Sequence, residues 1–349
     1  MLTKKDAKMA QGLAIIGMVM LHLFCRLEDL PYDVHLHVGN TPFIYYLGLF
    51  GDMCIPVFCF CSGYAQSVLS NRDQRYNKNR YNRILKFIEH FWIVLILFSI
   101  IGVLVHSHDI PIDIKTFLGN LFLYNLSYNG AWWFVDTYII LILMFPIMKY
   151  IVERLDNRLS IILSVLVYGI SYICELRLSG LFSNSILSWI YRQVYLFGRT
   201  QLPFVIGMLC YRYRLIEKLK EIIYRKNFLK PLLIIIPICM LILHGIVQSL
   251  IVSPFTGLVT LICFHLWRKP KWIESVLLFL GRHSTNIWLT HMFFYLVLFK
   301  GLVFIVKEPI LILICMFVIC IIVSYIINGI EGVLKRILEQ INTYFKRKC

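Results

Sequence analysis

KMAQGLAIIGMVMLHLFCR, residues 8–26, decides how the whole chain is read. A lysine opens it, an arginine closes it, and between them only Gln11 and His22 interrupt an apolar run. Its length is close to the roughly 20 residues an α-helix needs to cross a hydrocarbon layer. Hydrocarbon offers no hydrogen bonds to an open backbone, so such a run crosses as a helix. Eleven residues separate Gln11 from His22, about three turns and about 16 Å of rise, so both point the same way at different depths.

Working outward, further apolar runs give expected spans at 9–27, 42–66, 86–105, 132–151, 159–176, 192–211, 231–248, 251–268, 284–304 and 308–330. The fold class is therefore all-α, a polytopic transmembrane bundle of about ten spans. Basic residues collect in alternate connections. Arg72, Arg75, Lys78, Arg80 and Arg83 lie in 67–85, and Arg212, Arg214, Lys218, Lys220, Arg225, Lys226 and Lys230 lie in 212–230. The opposite connections, 28–41 and 106–131, carry aspartates and histidines instead. Positive charge marks the cytoplasmic side, which places both termini there. Residues 1–330 are expected to form the membrane domain and 331–349 a basic cytoplasmic tail. The first run reads as a retained helix rather than a cleaved signal, because many spans follow it. The short turn between 231–248 and 251–268 also admits a merged or re-entrant element.

Composition excludes several classes. Hydrophobic residues make up 59% of the 349 and charged residues 15%, far from the balance of soluble proteins. The net charge of +16 flanks apolar runs without stacking platforms or zinc spacing, so it reads as topology signal and contact with anionic lipid, not as nucleic-acid binding. The 11 cysteines fall mostly inside apolar runs, where cysteine packs as a small hydrophobe. Cys59 and Cys61 are too close together for a usual metal pair, and no metal is expected.

Polar residues at membrane depth are expensive and mark sites or helix contacts. His22 admits two readings, a packing histidine or a general base that takes a proton from a hydroxyl attacking an acyl carbonyl. Arg26 lies one turn beyond it, and Asp52 in the second span is a candidate orienting carboxylate. Asp52 could equally pair with Arg26 or support a backbone break near Pro56. Ser62 and Gly63 allow close helix approach, and Tyr64 lies at the inner interface. Trp133 and Asp136 open the fourth span, Arg192 and Arg199 enter the sixth, and the ninth carries His291, with an equal case for helix packing. Polar groups from several spans imply a central cavity.

Five stretches carry a resemblance: QGLAIIGMVMLH at 11–22, PVFCFCSGY at 56–64, WFVDTY at 133–138, FVIGM at 204–208 and GRHSTNIWLTH at 281–291. In this order, the chain resembles the membrane acyltransferase 3 family, O-acyltransferases of bacterial surface glycans. The resemblance implies transfer of an acyl group, commonly acetyl from cytoplasmic acetyl-CoA, to a hydroxyl of an outward-facing glycan or lipid-linked sugar in the bacterial cytoplasmic membrane. It makes His22 the catalytic histidine, with Asp52 and Arg26 beside it. Lys8, Gln11, Ser62, Tyr64, Arg80 and Arg83 are then expected on the acyl-CoA side, and Trp133, Asp136, Arg199 and His291 on the acceptor side. Family members often have an arginine eleven residues before the histidine, where this chain has Gln11, with Lys8 one turn earlier. The rival reading is a secondary transporter or exporter of a sugar-containing or anionic substrate, which an inverted repeat would favour. The sequence contains no such repeat.

Overall fold

The computed structural model describes residues 1–111, 113–178 and 185–348. Ile112 of the expected outer connection and Cys349 at the end of the expected tail lie outside them. Among the described residues the fold is all-α apart from one hairpin of two-residue strands, His37–Val38 and Thr41–Pro42. The helices are α1 (Lys4–Phe24), α2 (Phe43–Phe50), α3 (Cys54–Arg72), α4 (Tyr76–Leu104), α5 (Ile114–Leu121), α6 (Trp133–Arg154) and α7 (Asn157–Leu178). They continue as α8 (Ser185–Arg212), α9 (Leu215–Arg225), α10 (Leu232–Val247), α11 (Ser253–Leu266), α12 (Lys271–Met292) and α13 (Pro309–Lys348). Seven of the described segments are long and apolar enough to cross a membrane: Lys4–Phe24, Phe43–Arg72, Tyr76–Leu104, Gly130–Arg154, Asn157–Leu178, Asn227–Val247 and Pro309–Ile341.

Two compact units make up the chain, Met1–Arg80 with Trp133–Ser284, and Tyr81–Trp132 with the chain from Thr285 on. In the first unit α1 starts from a reciprocal cap, the Thr3 hydroxyl accepting from the Asp6 amide while the Asp6 carboxylate accepts from the Thr3 amide. The chain's amino group pairs with Glu217 on α9. Burial pushes the Glu217 carboxyl up, but that ammonium and Arg214 bring it below its ordinary value.

Glycine sets how closely the helices of this unit approach. At the crossing of α1 with the 3-10 turn Gly51–Met53, a Cβ on Gly51 would collide with the Gly17 carbonyl. At the α3–α8 crossing a Cβ on Gly63 would meet the Phe204 carbonyl, and one on Gly207 the Phe60 carbonyl. Small residues substitute for hydrophobic driving force in lipid by letting backbones touch. The core between these crossings is filled by fully buried Ile15, Val19, Val57, Phe60 and Phe204. Within α8, Pro203 has no N–H to give the Arg199 carbonyl, which loosens the helix beside that arginine.

In the second unit, Phe98 stacks on Phe293 at 4.1 Å, and the Trp132 indole donates to the Leu289 carbonyl at 3.0 Å. His90 on α4 lies 2.9 Å from Glu331 and 2.6 Å from Asn286. Asn286 in turn donates to Ser324 Oγ at 2.8 Å and Asn328 Oδ1 at 3.1 Å. This polar network joins α4, α12 and α13, and its satisfied partners make it a structural tie.

Two expectations need correction, the place of the ninth span and the length of the one at 251–268. The ninth span, read at 284–304, is instead α12 at Lys271–Met292, followed by five π-helical residues Phe293–Val297 and a left-handed Gly301. α12 starts at Lys271 and carries Glu274 in its first turn, where Glu274 pairs with Lys5 at 2.5 Å. α13 runs without a break through residues 331 to 348. Segments 231–248 and 251–268 form two helices as expected, turned by left-handed Gln248 and by Ser249, whose hydroxyl accepts from the Ile251 amide. The second of them, α11, has 14 residues, about 21 Å of helix and short of a full hydrocarbon crossing.

Candidate active site

A band of polar side chains occupies one end of the first unit, built from the C-terminal ends of α1 and α7, the N-terminal ends of α6 and α8, and the junctions α2–α3 and α10–α11. At the α1 end the Arg26 guanidinium donates to the His22 carbonyl at 3.3 Å, and its charge acts on the His22 imidazole. His22 is half-buried. Asp52 interacts electrostatically with Cys25 and with Arg199. Its Oδ2 is buried and has no hydrogen-bond partner, while its carbonyl accepts from Ser253 Oγ at 3.0 Å. The carboxylate interacts with the Ser253 side chain and, at longer range, with Arg199.

Arg199 is ion-paired with Glu175 of α7 and lies 5.5 Å from the Tyr172 ring. Tyr172 meets Ser249 Oγ at 3.1 Å, and the Tyr168 hydroxyl donates to the Ile251 carbonyl at 3.0 Å. Those two bonds fix the tyrosine edge. Seven residues before Arg199, Arg192 faces Asp136 across 3.7 Å. Trp133 lies half-buried in the first turn of α6, its carbonyl accepting from Thr137 Oγ1 at 3.1 Å. The sequence expectation thus brings His22, Arg26, Asp52, Asp136 and Arg199 to one end of one unit. It missed Glu175, whose only signal is a carboxylate in the last turn of an apolar span.

The other end of α1 carries the residues expected to face the acyl donor. Lys8 Nζ donates to the Gly281 carbonyl at 3.1 Å and interacts with Cys61. Gln11 Oε1 and Ser62 Oγ are buried with no hydrogen-bond partner. The Tyr64 hydroxyl accepts from the Leu2 amide at 2.9 Å, tying the start of the chain to α3. Arg80 is buried, with its guanidinium 5.9 Å from the Tyr76 ring. Next to it an open cleft of about 710 Å³ is lined by Tyr76, Arg75, Lys78, Lys149 and Tyr150, among others.

Two of the expected residues, Arg83 and His291, belong to the second unit. His291 is fully buried, with Nδ1 2.8 Å from the Trp288 carbonyl. Sequence reading also passed over His90, inside the expected third span, and Glu331, just beyond the expected last one. Among the described residues, no group of three histidine, cysteine or acidic side chains is arranged to hold a metal ion.

No curated protein and no solved structure matches the chain. Residues 7–329 match a family model described as an acyltransferase domain. That match covers nearly the whole sequence and the polar band with it, so the chain belongs to the membrane acyltransferase 3 family and is a membrane-bound acyltransferase of that type.

Proposed function

We propose that the protein is an O-acetyltransferase, which moves acetyl from cytoplasmic acetyl-CoA to a hydroxyl of an outward-facing glycan or lipid-linked sugar. The observation that carries this reading is the family match over 7–329 together with His22 inside the polar band. Both termini lie in the cytoplasm on the distribution of basic residues, which turns the Lys8 end of α1 inward and the His22 end outward.

The inner end suits an acyl-CoA donor. Gln11 Oε1 and Ser62 Oγ are buried acceptor atoms in need of hydrogen bonds, and the amides of a pantetheine arm supply N–H donors. Lys8 and Arg80 carry the charge for its phosphates, with Gln11 and Lys8 together replacing the family's arginine. Tyr64 braces this end through its bond to Leu2.

At the outer end His22 acts as general base. It takes the proton of the acceptor hydroxyl as that oxygen bonds to the acyl carbon. The carbon–sulfur bond then breaks, and the departing CoA thiolate takes the proton back from the imidazolium. Arg26 stabilises the oxyanion that forms on the carbonyl. Asp52 supports Arg199, and Trp133, Asp136 and Arg199 contribute to the acceptor side.

Membranes containing the intact protein are expected to transfer radiolabelled acetyl from acetyl-CoA to glycan. Label absent from glycan with both acetyl-CoA and succinyl-CoA would overturn the reading. Arg80→Ala should raise the acyl-CoA concentration giving half-maximal rate by about tenfold, the loss of a charge-assisted contact. An unchanged value removes Arg80 from the donor site.

A further inference from the structure

The acceptor end of the first unit holds more polar surface than acyl transfer itself requires. On α8, Arg192, Tyr195 and Arg199 recur at intervals of three and four residues, so they share one face. From Arg192 to Arg199 that face rises about 10 Å. Glu175 of α7 and Asp136 of α6 meet its two ends.

The two ends differ in how well they are satisfied. Arg199 is engaged on both sides, by Glu175 and by the Tyr172 ring. Arg192 is not. Its 3.7 Å separation from Asp136 is too long for a direct hydrogen bond. Asp136 Oδ2, Arg192 Nε and Arg192 Nη2 are all buried without hydrogen-bond partners. The next residue, Gln193, is 7% exposed, and its amide interacts with Asp136 without reaching full hydrogen-bond geometry at either atom. Buried polar atoms of this kind cost about 1–3 kcal/mol each when left unmet. A carboxylate, a guanidinium and an amide side by side form a set that both accepts and donates, which is what a sugar hydroxyl needs from its surroundings. Tyr172 and Tyr195 add ring surface for the apolar face of a pyranose, and Tyr195 interacts with Glu175, Arg192 and Arg199 alike.

Charge selects among sugars. Each arginine of the face has its own carboxylate, Asp136 for Arg192 and Glu175 for Arg199, and Asp52 adds a further negative charge close to Arg199. An acidic sugar or a phosphate would therefore meet no uncompensated cation on this face. It would add a negative charge beside three carboxylates in a weakly screened setting.

Resting on the acyl-transfer reading, we infer that Asp136, Arg192, Gln193, Glu175 and Tyr172 form an acceptor subsite for an uncharged sugar unit, bound through its hydroxyls next to the unit that is acylated. Gln193, Arg192 and Asp136 bridge to ring hydroxyls, and Glu175 with Arg199 closes the far end.

Direct binding tests this without requiring turnover. Surface glycans of the producing cell are cut to oligosaccharides, separated into neutral and acidic pools by anion exchange and labelled at their reducing ends. Equilibrium dialysis then measures each pool against the full chain in lipid nanodiscs, with no acyl-CoA present. The neutral pool should bind at least tenfold more tightly than the acidic pool. Gln193→Ala and Glu175→Gln should each weaken neutral binding by at least fivefold, in protein whose thermal midpoint matches the parent. Equal or tighter binding of the acidic pool overturns the inference, as does neutral binding unmoved in both variants or absent from the parent. If the neutral pool binds as expected but no acyl donor ever labels it, the subsite stands and the acyl-transfer reading falls. If label is transferred but both variants leave the acceptor KM unchanged, the subsite alone falls.

Discussion

His22→Ala is expected to lower acetyl transfer by about 10²–10⁴-fold, the usual contribution of a positioned general base, while leaving the half-saturating acyl-CoA concentration within about twofold. The split follows from where the residue sits. His22 lies at the Arg26 end of α1, and Lys8 and Gln11 occupy the other. His22→Gln separates base from packing, since glutamine keeps a hydrogen-bonding side chain but takes no proton at neutral pH. Glutamine restoring more than a tenth of the parent rate would assign His22 to packing. Both variants failing in correctly inserted protein would assign it to chemistry.

Gly63→Val is expected to destabilise the protein by about 3 kcal/mol or more, at the upper end of the overpacking range. Its Cβ would be driven into the Phe204 carbonyl, a backbone atom that cannot rotate away. Gly207 presses on the Phe60 carbonyl from the other helix, so the crossing has no slack on either side. The check is the thermal midpoint of the protein in detergent, together with the fraction recovered folded. A variant with the parent's midpoint would show that α3 and α8 can separate freely, and the glycine account of their packing would be wrong.

Most helices could be read from apolar runs, and where the reading failed the cause was paired charge. A charge near a helix end was taken as the end of the span. Glu274 was assigned to a loop yet rides on α12, neutralised by Lys5. Arg192 was taken to mark the start of a span, but α8 begins at Ser185 and places that arginine opposite Asp136. Each partner is distant in sequence, so local composition carries no trace of it. The candidate site shows the same division. His22 and Asp52 stand out because nothing polar surrounds them in the chain. Glu175 and Gln193 do not, because one sits beside Arg177 and the other beside Arg192, where they look like ordinary flanking residues. Their meaning comes from the helices that meet them.

The central claim is that an acyl group supplied on the cytoplasmic face ends on a glycan at the opposite face. Sealed inside-out vesicles containing the protein and its acceptor, given radiolabelled acetyl-CoA from outside, test it most directly. The account predicts labelled glycan inside the vesicles, protected from added glycosidase until detergent opens them, and absent with His22→Ala. Label that glycosidase removes from sealed vesicles, or glycan that crosses the membrane with no acyl donor present, would contradict it; the second result would identify an exporter.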